Sequence, residues 1–149
     1  MKSRIYHTET EDETIALGEQ LAVELPVPAV VLLIGQLGAG KTTLAKGIVK
    51  GLGAARPDDV SSPTFTLIHE YSPSVFHIDL YRLDTAAQVA TLGLDEIFDR
   101  RAVVLIEWGE RFTRLMPEER IEIRLRPTEE NSREIEVRST MEVSSPRTS

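Results

Sequence analysis

The sequence predicts an α/β fold with three layers and a mixed sheet. An apolar run at 29–34 leads directly into the pattern G-x-x-x-x-G-K-T at 35–42, which is typical of a phosphate-binding P-loop. Leu44, Ile48 and Leu52 follow at helical spacing on one face. Near the end of the chain, apolar and charged residues alternate on both sides of a turn, which predicts an antiparallel hairpin with one solvated face. These observations predict a fold of the P-loop NTPase type, with a sheet that is parallel around the P-loop and antiparallel at its C-terminal hairpin.

The first half of the chain begins with a predicted short strand or arm over residues 1–9. Thr10, with Glu13 three residues later, matches a capping box, so a helix is expected to begin there and to end at Pro26. The apolar strand and the P-loop follow. A second helix is then expected over about 41–52.

The second half alternates predicted strands with short predicted helices. Apolar alternation or a continuous apolar run predicts strands over 65–71, 75–80 and 102–107. Capping residues and helical spacing predict short helices over 84–91 and 94–99. In such sheets ligands bind at the carboxyl ends of the parallel strands. Functional side chains are therefore expected near three strand ends: Ile34, Asp79 and Ile106.

The P-loop residues fit the chemistry of a phosphate site. Gly35, Gly38 and Gly40 let the backbone turn tightly enough to direct successive N–H groups at phosphate oxygens. Lys41 can reach the β- and γ-phosphates, and the hydroxyl of Thr42 can bind Mg²⁺. The alternative is a glycine-rich loop between a strand and a helix, with an unrelated lysine. We interpret the chain as a nucleoside-triphosphate-binding protein.

Lysine usage indicates which nucleotide is bound. The only lysines are Lys2, Lys41, Lys46 and Lys50. Guanine-specific GTPases usually recognise the base through an N/T-K-x-D motif downstream of the P-loop, and no lysine follows Lys50. ATP is therefore the expected nucleotide.

A P-loop needs an acidic partner for Mg²⁺, usually at the end of an apolar strand. Glu107 ends the apolar run 103–106 and is the better match, with a capped strand end as its structural alternative. Asp79 ends a strand that His77 interrupts. We therefore expect Asp79 to orient or deprotonate the attacking water or acceptor. Its alternative is a structural pair with nearby Arg82.

Three further features are less specific. The loop 61–64 lies where P-loop proteins often keep a γ-phosphate-sensing switch, and Thr64 could contact Mg²⁺ or the γ-phosphate, although a proline turn explains the same residues. Trp108 follows Glu107 and, on residue type alone, is more often a core residue than a functional one. The histidines show no metal-ligand spacing and receive no role: His7, His69 and His77.

Composition bounds the class of protein. The 149 residues predict a single P-loop ATPase domain over 1–138 with a disordered tail over 139–149. The absence of cysteine excludes disulfides, zinc-thiolate sites and thiol nucleophiles, and it fits a cytoplasmic protein. The longest apolar run, 27–34, is too short to span a bilayer, so no membrane association is expected. The net charge of −7 argues against binding nucleic acid through a broad basic face.

Four blocks of the sequence together resemble one bacterial family, and three of them are more specific than the P-loop alone. The blocks are G-Q-L-G-A-G-K-T-T at 35–43, S-P-T-F-T-L at 62–67, H-I-D-L-Y-R-L at 77–83 and L-I-E-W at 105–108. Over about residues 10–138 the chain resembles the TsaE (YjeE) family, ATPases required for making threonylcarbamoyladenosine beside the anticodon of tRNAs. The resemblance implies that the protein works with TsaD, which transfers the threonylcarbamoyl group, and with TsaB. Because the net charge is −7, we expect contact with tRNA to be indirect, through that complex.

The resemblance also implies residue roles. Lys41 and its neighbours would bind the nucleotide phosphates: Gly35, Leu37, Gly38, Ala39, Gly40, Thr42 and Thr43. Thr42 and Glu107 would hold Mg²⁺, Asp79 would be essential for hydrolysis, and Trp108 would lie near the nucleotide. Two positions depart from the family pattern. Gln36 replaces the usual Asp, which could weaken a polar contact at the loop, and Gly109 replaces a frequent Pro.

Two other functions use the same kinds of residues. A small-molecule kinase also needs a P-loop and two carboxylates, but it should carry lid arginines and an acceptor pocket, and no lid insertion is evident. A nucleotide-gated adaptor would bind ATP without hydrolysing it.

Overall fold

One seven-stranded sheet forms the centre of the fold. The computed structural model describes residues 2–36, 38–54, 67–129 and 132–139. The strands are β1 (Lys2–Thr8), β2 (Ala29–Ile34), β3 (Ile68–Ser72), β4 (Val75–Asp79), β5 (Val103–Glu107), β6 (Ile121–Pro127) and β7 (Arg133–Ser139). The helices are α1 (Glu11–Glu24), α2 (Lys41–Gly51), α3 (Ala86–Ala90) and α4 (Leu94–Phe98), with a 3-10 segment, kinked at Phe112, over Gly109–Leu115.

The strand order is β1-β7-β6-β2-β5-β4-β3. The strand before the P-loop, β2, pairs in parallel with β5 and β6, and β4 pairs in parallel with β5. The pairs β1–β7, β6–β7 and β3–β4 are antiparallel. The predicted α/β class is therefore confirmed, including the parallel centre and the antiparallel hairpin.

Two apolar layers pack against opposite faces of the sheet. All six residues of β2 are buried, as expected for a central parallel strand. On one face, Val31 and Leu33 pack with the apolar sides of α1 and α2. On the other face, Leu32 packs with side chains from α3, α4 and the 3-10 segment. This arrangement confirms the three layers and fixes the end of β2, where the P-loop begins.

Glycines bring α1 and α2 into close contact. A Cβ atom added at Gly47 would lie 2.0 Å from the carbonyl oxygen of Ile15, and one added at Gly18 would lie 2.6 Å from the carbonyl oxygen of Leu44. The two backbones therefore approach more closely than any residue with a side chain would allow. Because α2 begins at Lys41, this contact also positions the end of α2 that follows the P-loop.

Some local details differ from expectation. The Thr10 hydroxyl caps α1 by accepting from the Glu13 N–H, but the Glu13 carboxylate accepts from the N–H of Glu9, not of Thr10. The capping box is therefore only half formed. The 3-10 segment after β5 is not predicted by the sequence pattern.

Several predictions fall on residues that the structure does not describe. The first residues of the strand predicted from 65 and nearly all of the predicted tail belong to this group, although Ser139 itself is the last residue of β7. Within the described ranges, no helix has the length and apolar character needed to cross a membrane.

Candidate nucleotide-binding site

A cleft of about 500 Å³ opens at the carboxyl ends of the parallel strands. It is lined by Glu11, Gly38, Gly40, Lys41, Thr42, Thr43, Asp79, Tyr81, Glu107, Trp108 and Arg133. Most of the residues named from the sequence are therefore brought together here. Asp79 and Glu107 are register partners across β4 and β5, because the two parallel strands end side by side. Leu37 and Thr64 lie outside the described residues.

The P-loop depends on glycine at particular positions. Gly38 and Gly40 have φ values of 80° and 101°, in the left-handed region that side chains disfavour. At Gly35 a Cβ atom would lie 2.7 Å from the carbonyl oxygen of Leu125 in β6. The N–H of Ala39 donates to the carbonyl of Gln36 at 3.0 Å and closes the turn. The loop therefore has the tight backbone path that a phosphate cradle requires.

Lys41 lies largely buried at the start of α2. Its Nζ donates to the Gly35 carbonyl at 2.8 Å and lies 3.6 Å from the centroid of the Trp108 ring. Burial lowers the pKa of Lys41, and the nearby carboxylates of Glu107, Glu110 and Asp79 partly oppose that shift. A bound phosphate would supply a negative charge, and that charge would favour the protonated form of this buried lysine.

Glu107 accepts two contacts on the same carboxylate oxygen. Its Oε2 lies 3.4 Å from Thr42 Oγ1 and 2.7 Å from His77 Nε2. Both His77 and Glu107 are buried, so the ring nitrogen donates to a carboxylate that is largely shielded from water. The spacing of the histidines in the sequence indicates no role for His77. The alternation of β4, which places His77 and Asp79 on one face, was the available signal.

The oxygen donors at the end of the P-loop suit Mg²⁺, which usually keeps water and phosphate ligands in addition to a few protein ligands. Thr42 and Glu107 place a hydroxyl and a carboxylate oxygen side by side, and these are hard donors of the kind Mg²⁺ prefers. The described residues contain no group of three or more His, Asp or Glu side chains that could hold a metal. Few protein ligands are expected where phosphate oxygens and water complete the shell.

Asp79 is only 3% exposed and lies at the end of β4. Its Oδ1 accepts from the backbone N–H of Tyr81 at 2.9 Å, which orients the carboxylate. Arg82, three residues beyond Asp79, is exposed and does not belong to the lining of the cleft. The catalytic role of Asp79 stays a prediction, but its place beside Glu107 suits that role.

Trp108 turns the chain away from β5. Its φ of 69° is left-handed, which is rare for a bulky residue and indicates local strain. The turn directs the indole ring over Lys41 and to within 5.2 Å of the Tyr81 ring centroid. Trp108 therefore lines the cleft, a position that its residue type alone does not predict.

Glu110 is a charged group near Lys41 that no sequence motif predicts. Burial raises its pKa, against the opposing effects of its own backbone N–H and of Lys41, Arg124 and Arg111. Its Oε1 atom is buried and has no hydrogen-bond partner among the residues the structure describes. Tyr81, Glu11 and Arg133 were also missed, because their approach to the P-loop depends on the tertiary fold.

Comparison with known proteins gives consistent matches. Residues 8–135 match the family model described as threonylcarbamoyl adenosine biosynthesis protein TsaE. The chain is 39% identical over 138 residues to the tRNA threonylcarbamoyladenosine biosynthesis protein TsaE of Bacillus subtilis, covering 91% of this chain and 85% of that protein. It is 40% identical over 134 residues to the protein of the same description from Nostoc sp., covering 85% and 80%.

A solved structure is also similar. The crystal structure of YdiB from Bacillus subtilis superposes with a TM-score of 0.78 at 33% identity, covering 94% of this chain and 87% of that chain.

Proposed function

Because this chain belongs to the TsaE family of tRNA threonylcarbamoyladenosine biosynthesis proteins, we propose that it binds and hydrolyses Mg-ATP in support of that modification. The observation that carries the proposal is the meeting of Lys41, Thr42 and Glu107 at one end of the cleft. A phosphate loop, a hydroxyl and a strand-end carboxylate together form the recurring apparatus of P-loop NTPases.

ATP binding follows from the P-loop and the start of α2. The backbone N–H groups after Gly38 and the positive end of the α2 dipole bind the phosphate chain. Lys41 neutralises charge on the β- and γ-phosphates. Thr42 and Glu107 would hold Mg²⁺, which would reduce the negative charge on the phosphate oxygens. Trp108 covers the lysine and limits its access to water.

Asp79 is the group we assign to hydrolysis. Its carboxylate accepts a hydrogen bond from the attacking water and takes up a proton as the water oxygen bonds to the γ-phosphorus. The bond from that phosphorus to the β–γ bridging oxygen breaks, which gives ADP and inorganic phosphate. The hydrogen bond from the Tyr81 N–H to Oδ1 orients the carboxylate for this role.

The partners we assign are TsaD and TsaB, in the cytoplasm where tRNA is modified. Hydrolysis by this chain would support turnover of the threonylcarbamoyl transfer that TsaD carries out. The net charge of −7 favours docking on proteins over direct contact with the tRNA backbone.

Substitution of the P-loop lysine tests the proposal. We expect Lys41→Ala to weaken ATP binding by about 10–100-fold or more, since one hydrogen bond to a charged group contributes about 1.5–3 kcal/mol. Affinity is measured by displacement of a fluorescent ATP analogue in the presence of Mg²⁺, and folding is checked by circular dichroism.

Lys50→Ala is the matched control, because Lys50 lies on the same helix, is exposed, and pairs with Glu19 at 3.2 Å. Its removal should leave ATP affinity unchanged. Unchanged ATP affinity in folded Lys41→Ala protein would show that the site is wrongly assigned.

A further inference from the structure

We propose that Arg133 is a second cation of the phosphate site and that its guanidinium binds the phosphate chain of the nucleotide. The inference rests on the proposed function, because it concerns the same cleft. It adds a binding residue that lies outside the P-loop and outside the strand ends that carry Asp79 and Glu107.

The position of Arg133 follows from the sheet. It is the first residue of β7, where its backbone pairs with Thr8 of β1 and with Pro127 of β6. In the strand order, β7 lies on the opposite side of β2 from β5 and β4. Arg133 therefore approaches the P-loop from the side opposite to Glu107 and Asp79. A phosphate chain on the loop would lie between the two.

The side chain of Arg133 lies against the left-handed glycines of the loop. Its Nη2 is 3.5 Å from the Gly38 carbonyl oxygen, and its Nε would be 3.0 Å from a Cβ atom placed on Gly40. Its Nη1 donates to the Ser132 carbonyl at 3.1 Å. The contact with Gly38 is at the outer limit of a hydrogen bond. The guanidinium is thus held at the loop while keeping donor capacity for a ligand.

Arg133 differs from the other arginines of the β6–β7 hairpin, because those arginines form ion pairs. Arg124, Arg126 and Arg138 each pair with a glutamate of the same hairpin. In the part of the chain that the structure describes, no carboxylate lies within ion-pair distance of Arg133. Guanidinium groups bind phosphate as readily as carboxylate, often through two parallel hydrogen bonds. A phosphate group in the cleft would supply the anionic partner that Arg133 lacks among the described residues.

Charge in the cleft supports the same conclusion. Three carboxylates line it, from Glu11, Asp79 and Glu107, against only two cations, Lys41 and Arg133. Lys41 also donates to the Gly35 carbonyl. Without Arg133, the three carboxylates, Lys41 and one Mg²⁺ would leave the described lining with no net positive charge for a triphosphate, and Arg133 makes it positive.

The support for Arg133 is rigid. Ser132 is buried, and its hydroxyl donates to the carboxylate of Glu9 at 3.1 Å, which ties the start of β7 to the turn before α1. The backbone of Arg133 is held between two strands and follows the anchored Ser132, so it needs little reordering for the side chain to bind a ligand.

The test compares ATP with magnesium tripolyphosphate, which keeps the phosphate chain and lacks the nucleoside. Displacement of a fluorescent ATP analogue gives both affinities for wild-type protein, Arg133→Gln, Arg133→Lys and the control Arg126→Gln. We expect Arg133→Gln to weaken both ligands by a similar factor of about tenfold or more. Arg133→Lys should recover part of the loss, and Arg126→Gln should match the wild type.

A second measurement uses the unsubstituted protein, in case Arg133→Gln folds poorly. Tripolyphosphate should protect Arg133, but not Arg126, from modification by phenylglyoxal, as mapped by peptide mass spectrometry. Lack of protection would overturn the inference. So would equal affinities in folded Arg133→Gln, or a loss confined to ATP, which would indicate a contact with the nucleoside.

The same experiment separates the two proposals. Wild-type protein that binds neither ATP nor tripolyphosphate would overturn the proposed function and this inference together. Wild-type protein that binds both, with Arg133 variants that bind equally well, would overturn this inference alone.

Discussion

The carboxylates of Glu107 and Asp79 lie side by side but face different partners. Glu107 contacts the Thr42 hydroxyl and the His77 ring, whereas Asp79 is held by the backbone N–H of Tyr81. Neighbouring acids in different environments can perform different tasks. At the residue scale, this difference is the basis for separating a metal ligand from a hydrolytic group.

We expect Glu107→Ala to weaken the Mg²⁺ dependence of ATP binding more than it weakens nucleotide binding without metal. Asp79→Ala should show the complementary result, with nearly normal ATP binding and hydrolysis lost. Titrations with and without Mg²⁺, together with phosphate release, measure both effects. Equal losses of metal-free binding in the two variants would contradict the division of roles.

Glu110 predicts a pH effect on stability. Because burial raises its pKa, the folded protein holds the Glu110 proton more tightly than the unfolded chain does. Stability from this group is therefore fully present below its ordinary pKa of 4.5 and is lost as the pH rises through the folded value. We expect Glu110→Gln to have a higher free energy of unfolding than wild type at neutral pH.

Urea unfolding measured across pH checks this expectation. The advantage of Glu110→Gln should shrink as the solution is acidified toward the pKa of an ordinary glutamate, because both proteins are then neutral at this position. A difference that stays constant from about pH 4 to about pH 8 would contradict the assignment of Glu110 as a carboxylate whose pKa is raised by partial burial.

At the scale of elements, α1 and α2 can pack closely because glycines without side chains lie at their contact. Gly→Ala in a helix interior normally stabilises by about 0.5–1 kcal/mol. At Gly47 the added methyl group would lie 2.0 Å from the Ile15 carbonyl oxygen, so the two helices must separate. We expect Gly47→Ala to destabilise the protein by about 1–3 kcal/mol, as overpacking does. Thermal unfolding that shows a stabilised variant would contradict this packing.

The elements also show what sequence patterns can predict. Strands β2 and β5 are predictable because continuous apolar runs suit a strand buried on both faces. Thr85 begins α3 with a complete capping box, a signal contained within four residues. The 3-10 segment at 109–115 has no such local signal, because it begins with the left-handed turn at Trp108. The left-handed turn at Trp108 depends on the folded structure, in which the indole ring packs over Lys41.

The residues of the cleft also divide into those that sequence patterns predict and those that only the fold brings together. Lys41 and Thr42 belong to one motif, and Asp79 and Glu107 end strands, so pattern and topology together predict their meeting. His77 lies 30 residues from Glu107, and Arg133 lies 95 residues from Gly38. No spacing rule connects residues so far apart. Only the register of β4 and the pairing of β7 bring them to the cleft.

At the scale of the whole molecule, we expect weak ATP hydrolysis by the isolated protein and a higher rate with TsaB and TsaD. P-loop catalysis often depends on an arginine or other group supplied by a partner, which can contribute about 10³–10⁵ in rate. The net charge of −7 favours protein partners over RNA. Phosphate release is measured for the protein alone, with TsaB and TsaD, and with tRNA only. Stimulation by tRNA alone, with none from the proteins, would contradict the expectation.

The strand order has a consequence for biosynthesis on the ribosome. The strand before the P-loop is made early, but its two neighbours are β5 and β6, which are made late. Val103, the first residue of β5, follows Ile34 by about 70 residues. At about 5–20 residues per second, translation leaves β2 without a neighbouring strand for roughly 3–14 s. During that interval a wholly apolar strand is open to chaperones and to other nascent chains, so variants that delay β5 or β6 should lower the yield of native protein before they lower its stability.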